Sequence, residues 1–146
     1  MIQKSVQVKV PLRTAYNQWT QFEEFPEFMD GVEEVKQVND TLTHWRTKIA
    51  GVEREFDAEI VSQQPDTMVA WKSVDGPMQA GTVSFRPLDS ARTEVTLLMD
   101  FEPEGIVEKA GDTIGLVDRR VQGDLERFKD FIESRGTETG SWRGEV

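Results

Sequence analysis

No cysteine occurs among the 146 residues, which excludes disulfides, thiolate metal sites and cysteine nucleophiles together and leaves the redox compartment unread. Histidine and tyrosine occur once each, as His44 and Tyr16. One imidazole with no thiolate does not make a transition-metal centre, so no metal and no other cofactor is expected. Positive charge is also scarce. Seventeen basic residues against twenty-seven acidic ones leave a formal charge of −10, which repels phosphate backbones and anionic headgroups and argues against nucleic acid as a partner. The first ten residues alternate apolar with polar and lack the continuous apolar run of a signal peptide or membrane span. A soluble cytoplasmic protein with no integral membrane segment is therefore expected, as one domain with a single core.

What is present is a run of strand-like segments. Val6, Val8 and Val10 alternate with Ser5, Gln7 and Lys9, the pattern of a half-buried strand. Pro11 opens a helix, because its missing N–H is no loss in a first turn, and Ala15, Trp19 and Phe22 carry the apolar stripe. Glu24 to Gly31 gathers two phenylalanines and a methionine around Pro26, reading as a second short helix or tight turn. Six strands follow, 32–39, 41–50, 52–63, 68–74, 79–86 and 92–101, separated by short connections with Asp, Gly, Pro or Ser. Such a succession forms an antiparallel meander, to which the first strand adds a seventh.

The hairpin around Gly51 fixes its own register. Pairing residues whose numbers sum to about 101 sets Lys48 opposite Glu53, Arg46 opposite Glu55 and His44 opposite Asp57 on a solvated face. The other face receives Trp45 with Phe56 and Ile49 with Val52. Continued across the meander, the same alternation turns Val69, Trp71, Val83, Phe85, Val95, Leu97, Met99 and Phe101 inward. Arg54 shares the parity of Phe56 and so also points inward. A buried guanidinium without a partner is very costly, so Arg54 sits at a cavity mouth or meets an acidic group of the protein or of a ligand.

Residues 104–135 read as one long helix. Ile106, Ala110, Ile114, Val117, Val121, Leu125, Phe128 and Ile132 recur at three- and four-residue spacings, along one stripe that must lie on the sheet. Gly111, Gly115 and Gly123 interrupt it, each at about 1 kcal/mol relative to alanine; close approach to the sheet, a bend or room for a ligand would each explain them. Arg120 and Asp124, four apart, can pair on its surface. A helix laid on a curved sheet leaves a hollow where side chains are small, and such hollows hold apolar ligands. Trp45, Arg54, Phe56, Trp71, Phe85, Met99, Ile114 and Val117 are the candidate lining, with Trp45 and Trp71 as flat stacking surfaces that would otherwise fill the core. His44 falls on the solvated face, and Glu53, Glu55, Asp57 and Glu59 form a solvated ladder. No catalytic constellation is recognisable, and catalytic residues stay unknown.

The segments Glu24–Val35, Val69–Gly76, Gly81–Pro87 and Arg119–Phe131 resemble the polyketide cyclase/dehydrase family. That family belongs to the START-like (SRPBCC, helix-grip) superfamily, which also includes the lipid-transfer domains and the coenzyme-Q-binding proteins. The resemblance covers about residues 1–135. It implies an α+β fold in which a curved seven-stranded antiparallel sheet wraps a long C-terminal helix, with two short helices after the first strand. It also implies binding of a hydrophobic small molecule, whether lipid, quinone or polyketide-like, or alternatively aromatase/cyclase or dehydratase chemistry on a poly-β-keto chain. In the cyclases that resemble this chain an interior arginine near the end of the equivalent fourth strand is implicated, whereas this stretch reads Ser62-Gln63-Gln64-Pro65. Residues 136–146, with three glycines and Trp142, read as a flexible tail. A third reading makes that tail and the acidic surface a protein-interaction module.

Overall fold

The computed structural model of the protein describes residues 2–49, 51–74, 79–101 and 110–144, with the backbone alone for 49, 52, 79, 101 and 110–118. Strand β1 (Ile2–Val8) leads to helix α1 (Leu12–Trp19) and a 3-10 turn (Phe22–Glu27). The meander follows as β2 (Val32–Gln37), β3 (Leu42–Ile49), β4 (Val52–Gln64), β5 (Met68–Ser73), β6 (Gln79–Asp89) and β7 (Arg92–Phe101), and helix α2 (Ala110–Arg135) closes the fold. One antiparallel sheet has the order β1-β7-β6-β5-β4-β3-β2. This is the expected helix-grip arrangement, a curled seven-stranded half-barrel holding the C-terminal helix. Register shifts in the β2–β3, β4–β5 and β6–β7 pairs insert extra residues that bend the strands and tighten the curl.

The hairpin register is the one the sequence dictates. Lys48 pairs with Glu53, Arg46 with Glu55, His44 with Asp57, Trp45 with Phe56 and Ile49 with Val52. Pro11 stands one position before α1, with φ −61° and ψ 155°, and its carbonyl accepts the Ala15 N–H at 3.1 Å. Its fixed φ therefore starts the helix from outside the first turn.

The concave side holds the core. Val121, Leu125, Phe128 and Ile132 of α2 are buried, as their spacing requires, and each contributes on the order of 1.5–3 kcal/mol by leaving water. Trp19 stacks edge-on against Phe128 with centroids 4.8 Å apart, and Phe28 against Phe128 at 5.3 Å, so the short helices, α2 and the sheet share one aromatic core. The expected start of α2 at 104 and its residue Ile106 lie outside the described residues. Gly136, at φ +74°, ends the helix and donates its N–H to the Ile132 carbonyl at 2.9 Å, the left-handed C-terminal stop that glycine adopts without strain. Residues 137–143, expected as part of a flexible tail, make hydrogen bonds with α1.

The anticipated Arg120–Asp124 pair does not form. Arg120 instead donates to the carbonyl of Asp30 at 3.1 Å and to its carboxylate at 3.2 Å. Asp124 accepts the Asp30 N–H at 3.0 Å and pairs with Arg127. A loop carbonyl and N–H that α2 brings within reach replace the i,i+4 partner, because these backbone groups have no strand neighbour to bond.

Candidate functional site

Strand alternation and register place Thr43, Trp45 and Thr47 of β3, Arg54, Phe56, Ala58 and Ile60 of β4, Trp71 of β5, Gly81, Val83 and Phe85 of β6, and Val95, Leu97 and Met99 of β7 on one face of the sheet. Val69, Val83 and Val95 are at most 1% exposed, and Phe85 packs edge-on against Tyr16 at 5.5 Å, so this half of the concave face is solid. Toward the other end of the strands the apolar side chains change in kind. Trp45, Phe56 and Trp71 are only half-buried.

Each of these rings is held by neighbours. The Trp45 indole donates its Nε1–H to Thr43 Oγ1 at 2.8 Å, and that buried hydroxyl donates to the Ala58 carbonyl at 3.0 Å. Trp45 lies nearly parallel to Phe56, with centroids 6.0 Å apart and planes inclined by 8°, and leans on Phe25 at 5.7 Å. Trp71 faces Gly81 across the β5–β6 ladder. An added Cβ at Gly81 would stand 2.5 Å from the indole Cζ2 and 2.9 Å from the Leu98 carbonyl oxygen, so only glycine lets the ring lie across β6.

The other candidates fall as follows. Arg54 is exposed and opposite Thr47, at the rim rather than in the interior. Phe85 and Met99 are buried, Phe85 within the solid half and Met99 opposite Ile2 and Gly81. Ile114 and Val117 lie on α2, with side chains outside the described residues. His44 is on the convex face, its Nδ1 2.6 Å from Asp57, and the Asp57 hydrogen bond raises its pKa above the usual imidazole range. The interior instead presents a phenol. Tyr16 is fully buried and accepts a hydrogen bond from Gln63 Nε2 at 3.1 Å, and burial raises its pKa above that of an ordinary phenol.

Beside the rim of α2, Arg127 Nε donates to the Phe28 carbonyl at 3.0 Å. Together with Pro26, Met29, Asp30 and Val32 it borders an open depression of about 320 Å³. Asp124, which Arg127 pairs with, has its pKa raised to about 6 by burial, against the opposing pull of Arg127 and the Asp30 N–H. Among the described residues no group of His, Cys, Asp and Glu is arranged to hold a metal ion.

Three of these features lie beyond the sequence reading: Gly81 under Trp71, Thr43 under Trp45, and the Asp30–Asp124 contact. Gly81 had a legible signal, since period two turns it inward with Val83 and Phe85 at the level of an inward tryptophan. The other two had none.

The family described as polyketide cyclase / dehydrase and lipid transport matches residues 8–130. The chain belongs to this family. A relative from Streptomyces lincolnensis, an uncharacterized 17.2 kDa protein in the melC2–rnhH intergenic region, is 58% identical over 146 residues, spanning 99% of this chain and 97% of the relative. Among solved structures, the Zhui aromatase/cyclase from Streptomyces sp. R1128 superposes with a TM-score of 0.81 at 15% identity, over 97% of this chain and 98% of that one. A START superfamily protein from Mycobacterium smegmatis superposes at 0.63 with 18% identity, over 86% and 97%. Both likenesses show the fold, and they agree with the helix-grip architecture of this family member. No helix among the described residues is long and apolar enough to cross a membrane.

Proposed function

We propose that this polyketide cyclase/dehydrase family member binds a hydrophobic small molecule between the concave sheet and α2. The observation that carries the reading is the contrast along the concave face. Fully buried valines and Phe85 fill one half, whereas Trp45, Phe56 and Trp71, rigid rings with large contact area, stay half-buried at the other. A lipid, quinone or polyketide-like molecule completes the burial of those rings, with Met99 contributing apolar wall. Arg54 at the rim supplies a cation for an acidic or enolic end of the ligand.

The test is native mass spectrometry of the purified protein, followed by denaturing extraction and identification of what is released. A stoichiometric hydrophobic adduct, or saturable quenching of tryptophan fluorescence by quinone, fatty-acid or polyketide-mimic probes that Trp45→Ala and Trp71→Ala weaken, supports the reading. Clean protein that binds none of these probes overturns it. A cyclase or dehydratase reading is favoured by the family's description and would be supported by turnover of a poly-β-keto mimic. Binding ranks first because His44, the single imidazole, lies on the convex face with Asp57.

A further inference from the structure

Helix α1 and Thr20, which follows it, bury three polar side chains. Asn17 is 4% exposed, Gln18 0% and Thr20 2%, and a buried polar group without a partner is strongly destabilising. Each of the three has a partner among residues 139–143, and Thr20 Oγ1 also accepts from Gln21 Nε2 at 3.0 Å. Gln18 Oε1 accepts the Thr139 N–H at 2.8 Å while its Nε2 donates to Thr139 Oγ1 at 3.1 Å. Thr20 Oγ1 donates to the Asn17 carbonyl at 2.6 Å and accepts the Trp142 N–H at 3.0 Å. Arg143 then forks, one nitrogen donating to Asn17 Oδ1 at 2.6 Å and the other to Asp66 Oδ2 at 2.7 Å in the β4–β5 turn. Its guanidinium carbon stands 5.5 Å from the centre of the Tyr16 ring.

The same helix begins a line of rings that ends in the candidate site. Trp19, next to Thr20, contacts Phe25 at 5.4 Å, Phe25 contacts Trp45 at 5.7 Å, and Trp45 lies parallel to Phe56. Packed rings of this kind transmit a displacement because the interior has little free volume.

We propose that residues 137–143 are a strap, docked through Asn17, Gln18 and Thr20, that fixes α1 on the sheet and through Trp19 and Phe25 holds Trp45 in place. The strap is a positioning element and touches no reacting group. Its link to ligand binding rests on the proposed function, but the strap and the relay stand independently of any ligand.

The experiment uses the full chain carrying Arg143→Ala, with amide hydrogen exchange of residues 15–20 and the Trp45 indole N–H resonance as readouts. Losing a charged fork of this class opens the contact about tenfold or more. The expected result is exchange in α1 faster by that factor, together with a shift of the Trp45 resonance. Arg143→Lys, which keeps one ionic contact and serves if the alanine variant does not fold, gives a smaller change of the same kind. Unchanged α1 exchange in the folded variant overturns the strap, and faster exchange with an unmoved Trp45 resonance overturns the relay. Neither readout needs a ligand, so failure here is distinct from failure of the binding reading.

Discussion

Replacing Gly81 with alanine tests how the Trp71 wall is built. The new methyl would stand 2.5 Å from Cζ2 and 2.6 Å from Cη2 of the indole, and 2.9 Å from the Leu98 carbonyl oxygen. Ordinary carbon contacts begin near 3.5 Å, so the ring must move by about 1 Å. The Leu98 oxygen belongs to β7 in the middle of the ladder and cannot retreat without breaking its pairing with β6. Overpacking of this kind costs about 1–3 kcal/mol. For a chain of this size each kcal/mol lowers the melting temperature by roughly 2–4 °C. The assay is thermal unfolding with near-ultraviolet circular dichroism of the indoles, repeated in a Trp71→Phe background where the smaller ring relieves part of the clash. The two substitutions should be non-additive by about 1 kcal/mol, as for residues in direct contact. A melting temperature unchanged by Gly81→Ala, or strict additivity in the cycle, refutes the account. If the binding reading holds as well, Gly81→Ala also weakens binding of wide ligands more than narrow ones.

Thr43→Val removes the acceptor of the Trp45 indole N–H and the donor to the Ala58 carbonyl; a loss of about 1–3 kcal/mol in chemical denaturation is expected, with a shifted Trp45 indole resonance as the local check. Asp124 has a folded-state pKa raised from 3.8 to about 6, so the folded chain binds its proton more tightly. The stability this gives is present in full below pH 3.8 and is lost as pH rises through about 6. Relative to Asp124→Asn, the parent protein should therefore lose up to about 3 kcal/mol across that window, and parallel pH profiles from urea titrations of the two proteins would contradict it.

Local rules carried much of the architecture. Period-two alternation and the opposite charges of Lys48 with Glu53 and Arg46 with Glu55 specified the β3–β4 register, because only one pairing satisfies both faces of a hairpin. The ion pairs themselves were less legible. Arg46 lies across from Glu55, yet its guanidinium reaches Glu33 at 3.6 Å and Glu34 at 3.9 Å on β2, since a long side chain selects among all neighbouring strands. Candidate residues taken by parity fell on the expected face, but parity does not measure burial. It grouped Phe85, inside the packed half, with Trp45 and Trp71, which are half-buried.

Composition, periodicity and turn chemistry thus determined the order of the described elements, the faces of the strands and the buried stripe of α2 from Val121 to Ile132, all of which depend on residues close in the chain or directly paired across a hairpin. The tertiary structure alone decided that Arg143 bonds Asn17, 126 positions away, and that Asp124 serves the Asp30 N–H rather than Arg120. Those contacts join segments whose approach is set by the curl of the sheet and the seat of α2, and a buried polar group takes whichever partner that approach brings within hydrogen-bond reach.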